Sequence, residues 1–184
     1  MGLKVWAPSE GASKRTPYHL KRDLVAFNTW TLNYAISELL VAFHNVDRHD
    51  LILLDRGPFD SIAWMGVLHK RGELGDEELE VYKRFALHPR WSRKIDRVFL
   101  YRCDPAVSLQ REVQSKLTTA AGTAMNPSML SDLLEQYDSL ESRLREYPVR
   151  RGETSDSTTP RGTALMIAED IVGLLGKRVE HANS

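Results

Sequence analysis

Apolar positions along the chain switch between two spacings, and the switches mark out alternating strands and helices. Leu3 to Ala7 is a short apolar run closed by Pro8, which reads as a strand opening into the polar stretch Ser9 to Pro17. From Leu20 to Phe43 the spacing becomes helical: Leu32, Ile36, Leu39, Leu40 and Phe43 recur three and four apart and give one packing face. After the polar segment His44 to Asp50, Leu51 to Leu54 is a continuous apolar run ending at Asp55, as in a strand covered on both faces. Gly57-Pro58 breaks the chain, and a helix is predicted from Asp60 as N-cap to about Lys70, stopped by Gly72. Asp76 is expected to cap a further helix that ends before Pro89.

The second half repeats the alternation. Val98 to Tyr101 reads as a buried strand, followed by Asp104-Pro105 as cap and first helical residue. Leu109, Val113 and Leu117 recur every fourth position behind that cap, and Thr118 to Thr123 reads as a loop. Asn126-Pro127 repeats the cap-plus-proline signal ahead of a long helix carrying Leu130, Leu133, Leu134, Tyr137 and Leu144. Val149 to Thr154 is a weaker strand, and Thr159-Pro160 opens a last helix with Ile167, Ile171 and Leu175, for which Gly176 is the expected stop. Strands alternating with helices predict an α/β fold: a three-layer parallel sheet with flanking helices and right-handed crossovers. No internal repeat or linker divides the 184 residues, so a single domain is expected.

Composition narrows the function without choosing one. Lys plus Arg and Asp plus Glu are 25 each, so no global field draws the chain to nucleic acid or to anionic membranes. One cysteine, Cys103, precludes an internal disulfide, and the six histidines show no metal-binding spacing. No run approaches the ~20 apolar residues of a membrane span, and the first residues carry no secretory pattern; a cytoplasmic, soluble domain is expected.

Candidate chemistry falls at the carboxyl ends of the expected strands, where open parallel sheets bind ligands. Glu10 follows the first strand, Asp55-Arg56 the second, and Arg102 to Asp104 the third. An apolar run ending in Asp is an arrangement in which a rigid strand aims a carboxylate at Mg²⁺ or its waters. The neighbouring guanidinium of Arg56 offers a planar fork for phosphate. Each has a plainer alternative, since charged residues also end strands where the chain leaves the core. Trp30, Phe27 and Tyr34 fit either a base-binding pocket or a helix core.

The stretches LILLDRGPFDSIAW, VFLYRCDPAVSLQRE and MNPSMLSDLLEQYDSL, in that order, resemble the P-loop kinase group of deoxynucleoside and thymidylate kinases. The Leu-x-x-Leu-x-x-x-Tyr pattern of that group stands here as Leu130, Leu133 and Tyr137. The resemblance implies an ATP- and Mg²⁺-dependent transfer to a small nucleoside or nucleotide, with no nucleic-acid or membrane partner. It implies Glu10 as acceptor of the hydroxyl proton, Asp55 as organiser of Mg²⁺, and Arg56 as holder of the group being phosphorylated. Asp60 would face the acceptor and Trp30 would line its pocket. Arg111, with Lys116 as second candidate, would close from a lid onto the transferring phosphoryl group.

The element that defines this group, G-x-x-x-x-G-K-[ST], occurs nowhere in the 184 residues; Gly11 to Lys14 has a glycine and a lysine at the wrong spacing. The expectation is therefore a domain lacking the group's first strand, phosphate loop and first helix, and so not competent for ATP chemistry alone. The alternative is a non-catalytic nucleotide-binding or protein-interaction module of the same descent. Acceptor identity and oligomeric state are not legible.

Overall fold

The computed structural model describes residues 2–8, 15–115, 126–143, 149–154 and 159–182. They pack as two compact units, one formed by Met1–Asp96 with Ser131–Pro148 and the other by Arg97–Leu130 with Val149–Ser184. The fold class is α/β, and among the described residues every strand pairing is parallel.

In the first unit β1 (Val5–Trp6) pairs with β2 (Leu51–Ile52). The regular ladder is shorter than the apolar runs predict, although Leu53 N–H still donates to the Trp6 carbonyl at 2.9 Å. The expected helix from Leu20 is divided. A 3-10 turn covers Tyr18–Arg22, and Asp23 then caps α1 (Leu24–His44), its side chain accepting from Ala26 N–H at 3.0 Å. An Asx cap satisfies an otherwise orphaned helix donor, which fixes the start at Leu24. Asn28, Leu32, Ile36, Leu39 and Ala42 form the buried stripe, whereas Leu40 is 42% exposed and stands off the face assigned to it.

The central element of this unit is α2 (Pro58–Lys70). Its sequence is mostly apolar, and nine of its thirteen residues are buried. It packs on α1 and on α3 (Asp76–Ala86). Met65 and Leu68 of α2 join Leu74 and Leu79 in a core cluster, covered by Leu24, Val25 and Tyr82. The helix starts three residues earlier than expected: Gly57 and not Asp60 is the N-cap, because Pro58 is pre-set for the first helical position. It stops where expected. Gly72 has φ of 77°, and Glu73 N–H to Leu68 carbonyl and Gly72 N–H to His69 carbonyl, both 2.9 Å, close a Schellman motif.

At α3 the cap is Gly75 and not Asp76, since Glu78 reaches back to the Gly75 N–H at 2.9 Å. A short helix, α4 (Pro89–Ser92), follows that the sequence pattern did not announce.

The second unit contains β3 (Val98–Cys103) paired in register with β4 (Val149–Thr154). Among the described residues the ladders form two two-stranded sheets, and no described strand joins β2 to β3 in the single sheet expected. Asp104 accepts from Ala106 N–H at 2.8 Å and starts α5 (Pro105–Ser115). Asn126 accepts from Met129 N–H at 2.9 Å and starts α6 (Pro127–Arg143), so both cap-plus-proline signals hold. The final helix, α7 (Pro160–Ala182), passes through Gly176. A glycine inside a helix costs only about 1 kcal/mol, which six further helical residues outweigh. Asp170 on α7 faces Arg97 at 3.3 Å and Arg150 at 3.8 Å, tying the helix to the beginnings of both strands. The loop expected at Thr118 to Thr123 and the helical position of Leu144 lie outside the described residues.

Candidate functional site

The turn between β2 and α2 carries the densest group of candidate side chains. Asp55 and Arg56 are both exposed there, just beyond the carboxyl end of a parallel strand. Arg56 has φ of 60° and is the one described non-glycine residue with positive φ. A side chain in that region costs roughly 1–2 kcal/mol relative to an ordinary conformation. Strain of this kind is held where surrounding structure over-determines it, and it points to a role for the residue that bears it.

From this turn the Arg56 guanidinium folds back over the first turn of α2. Its Nη1 lies 3.5 Å from Asp60 Oδ2, with the arginine side chain 64% exposed and the aspartate 22%. Asp60 sits one turn inside the helix, where the amino-terminal end of the dipole favours a carboxylate. Its other oxygen, Oδ1, accepts a short hydrogen bond from Tyr137 Oη on α6. Tyr137 is half-buried as a residue, with its hydroxyl end densely surrounded. Burial, and after it the charge and hydrogen bond of Asp60, push the phenol well above its usual range. The group therefore stays protonated as a donor, and Asp60 bridges a fixed phenol to an exposed guanidinium.

Long side chains hold α6 to α2 around this bridge. Arg71 Nη2 lies 2.7 Å from Asp132 Oδ2, and Lys70 Nζ lies 2.8 Å from Asp132 Oδ1 and 2.6 Å from Glu135 Oε2. The hydrogen bond from Lys70, and then that from Arg71, draw the Asp132 carboxyl below its ordinary range; Asp132 and Glu135 in turn raise Lys70. Gln136 lies directly against Gly66, where any Cβ would collide with its amide. Asp60, Gly66 and Lys70 along α2 thus meet Tyr137, Gln136 and Asp132 in reverse order along α6.

Trp30 is half-buried on α1 and stacks on Tyr34 with ring centroids 5.4 Å apart and planes within 8°. Arg15 stands over the Tyr34 ring at 5.4 Å. Arg111 belongs to the other unit. Its Nη1 reaches Thr154 Oγ1 at 3.3 Å and Cys103 Sγ at 3.7 Å, while Thr154 Oγ1 donates to the Arg102 carbonyl at 3.0 Å. The expected lid arginine is thus anchored to the carboxyl ends of β3 and β4, and Cys103 is a half-buried contact of that guanidinium. Glu10 and Lys116 lie outside the described residues.

Of the sequence candidates, then, Arg56 and Asp60 are in contact and Asp55 adjoins them in the chain. In the sequence Tyr137 belongs to a helical pattern and to the Leu-x-x-Leu-x-x-x-Tyr pattern of the resemblance, neither of which assigns it a partner. Its signal was a phenol among leucines on one helix face, a group that seeks a polar partner once buried.

Among the described residues no group of three or more His, Cys, Asp or Glu could hold a metal. Asp55, a lone exposed carboxylate, suits Mg²⁺ that arrives on nucleotide phosphates, which needs one or two protein carboxylates and completes its shell with waters. No described helix is long and apolar enough to cross a membrane.

No protein-family model matches the chain, and no curated protein matches it in sequence. Solved structures do. Deoxyadenosine kinase from M. mycoides, solved with bound dCTP, superposes with a TM-score of 0.62 over 92% of this chain and 86% of its own, at 12% sequence identity. At that identity the likeness is one of fold: the chain has an α/β fold similar to that of a nucleoside kinase.

Proposed function

We propose that the chain is a nucleoside- or nucleotide-phosphotransferase domain whose β2–α2 turn binds the acceptor. The observation that carries this reading is Arg56 and Asp60 in contact at the carboxyl end of a parallel strand, in a chain that superposes on a deoxyadenosine kinase along most of its length. Arg56 would hold the phosphate or hydroxyl of the acceptor, Asp60 would accept hydrogen bonds from it, and the Trp30–Tyr34 pair would offer a flat apolar surface to a base. Asp55 would hold Mg²⁺, which supplies charge neutralisation to phosphate oxygens when bound. Glu10 would take the hydroxyl proton as the acceptor oxygen attacks the terminal phosphorus of ATP and ADP leaves, and by the resemblance Arg111 or Lys116 would neutralise charge on the transferring phosphoryl group.

The donor half of such a site is a ring of backbone amides with a lysine, and the 184 residues contain no G-x-x-x-x-G-K-[ST] run to build it. This chain alone is therefore expected to bind nucleotide and to transfer phosphate from ATP poorly. The same observation favours a second reading, a non-catalytic nucleotide-binding or protein-interaction module. An assay with labelled ATP and a panel of deoxynucleosides and their monophosphates separates the two. Transfer that is lost in Arg56→Ala supports the phosphotransferase, whereas nucleotide binding with no transfer supports the binding module. A folded chain with neither activity removes the phosphotransferase and leaves only a protein-interaction module.

A further inference from the structure

We infer that Tyr137 is a positioning residue, its hydroxyl fixing the Asp60 carboxylate so that the second carboxylate oxygen orients the Arg56 guanidinium over the β2–α2 turn. The inference deepens the proposed nucleotide-binding role of that turn and rests on it for the ligand, though not for the geometry. Three features of one unit converge on it. Tyr137 Oη donates to Asp60 Oδ1, leaving Oδ2 to face Arg56 Nη1 at 3.5 Å. Arg56 is held with φ of 60° at the same turn, so its backbone and its side chain are both constrained. The Asp132 bridges to Lys70 and Arg71, with the Gln136 contact at Gly66, fix α6 against α2 on the neighbouring turns, so the phenol comes from a braced helix. A carboxylate with one oxygen held by an inward donor loses its freedom to rotate, and a guanidinium paired with the other oxygen is held in a set direction. An anionic ligand then meets an oriented fork at lower ordering cost.

The test is the rate at which phenylglyoxal, an arginine-selective dicarbonyl, modifies Arg56 in the full chain, read by peptide mass spectrometry with and without dCTP. Tyr137→Phe keeps the ring and removes only the donor; Asp60→Asn is the second variant, and circular dichroism checks that both fold. Both variants are expected to speed Arg56 labelling about threefold, the size expected when an exposed ion pair is released. Labelling at the wild-type rate in folded Tyr137→Phe or folded Asp60→Asn overturns the inference. Protection of wild-type Arg56 by dCTP reads the ligand separately. Faster labelling in the variants without such protection keeps Tyr137 as the positioning residue and removes nucleotide as the ligand.

Discussion

Gly152 of β4 is paired directly with Tyr101 of β3, and a Cβ at position 152 would fall within the van der Waals envelope of the Tyr101 ring. The ring lies across the space that a side chain would occupy, so the glycine is required by close approach. Replacing it with alanine should destabilise the chain by about 1–3 kcal/mol, as overpacking does. Chemical denaturation of Gly152→Ala, Tyr101→Leu and the double variant measures this. The double variant should recover most of the loss, and simple additivity would show that the two residues do not compete for the same volume.

Arg56 bears its strain without the backbone freedom that glycine has there. Arg56→Gly should stabilise the fold by about 1 kcal/mol, because removing Cβ relieves the left-handed conformation. The same change should abolish binding of an anionic ligand at the turn. A denaturant midpoint that falls in Arg56→Gly would mean that side-chain contacts, and not function, hold the residue in place.

The Asp132 bridges predict a two-sided pH profile of stability. The Asp132 carboxyl is lowered by Lys70 first and Arg71 second, so its contribution is fully present above the ordinary carboxylate range. It is lost as pH falls through the lowered value. Lys70 is raised by Asp132 and then Glu135, so its share is present below the ordinary lysine value and lost as pH climbs through the raised one. Lys70 is open to solvent while Asp132 is mostly covered, and screening at the exposed lysine keeps the effect small. Melting temperatures from acid to alkaline pH should show both limbs flattened in Asp132→Asn, and unchanged limbs would place the sensitivity elsewhere.

Tyr137 should ionise well above the ordinary range of a phenol. Phenolate absorbance at alkaline pH should show one late component that vanishes in Tyr137→Phe. In Asp60→Asn it should move down, because the carboxylate's charge and hydrogen bond are gone, while burial keeps it above the ordinary range. Since the raised value favours the protonated fold, this contribution to stability is present at neutral pH and is lost as pH rises through it.

Local signals in the sequence were legible where a single residue settles the geometry. Asp104-Pro105 and Asn126-Pro127 start helices, and Gly72 ends one, because caps and left-handed residues act within a turn. The helix starts at Asp60 and Asp76 were read too late because Gly57 and Gly75, with no side chain to signal a cap, hold that position. Gly176 misled for the opposite reason, since a glycine ends a helix only where the chain must turn. At the site, Asp55 and Arg56 could be read from the end of an apolar run, and Asp60 only from the family resemblance. The Tyr137 bridge could not, because it joins residues 77 positions apart and depends on how α6 lies against α2.

The most direct test of the account is calorimetric titration of the chain with dCTP and with Mg²⁺-ATP, beside Arg56→Ala as control. On the proposed nucleotide-binding role of the turn, nucleotide should bind with a dissociation constant in roughly the micromolar range, which corresponds to about 8 kcal/mol, and the control should lose it. No detectable binding by the folded wild-type chain, or equal binding by Arg56→Ala, would contradict a nucleotide site at the β2–α2 turn.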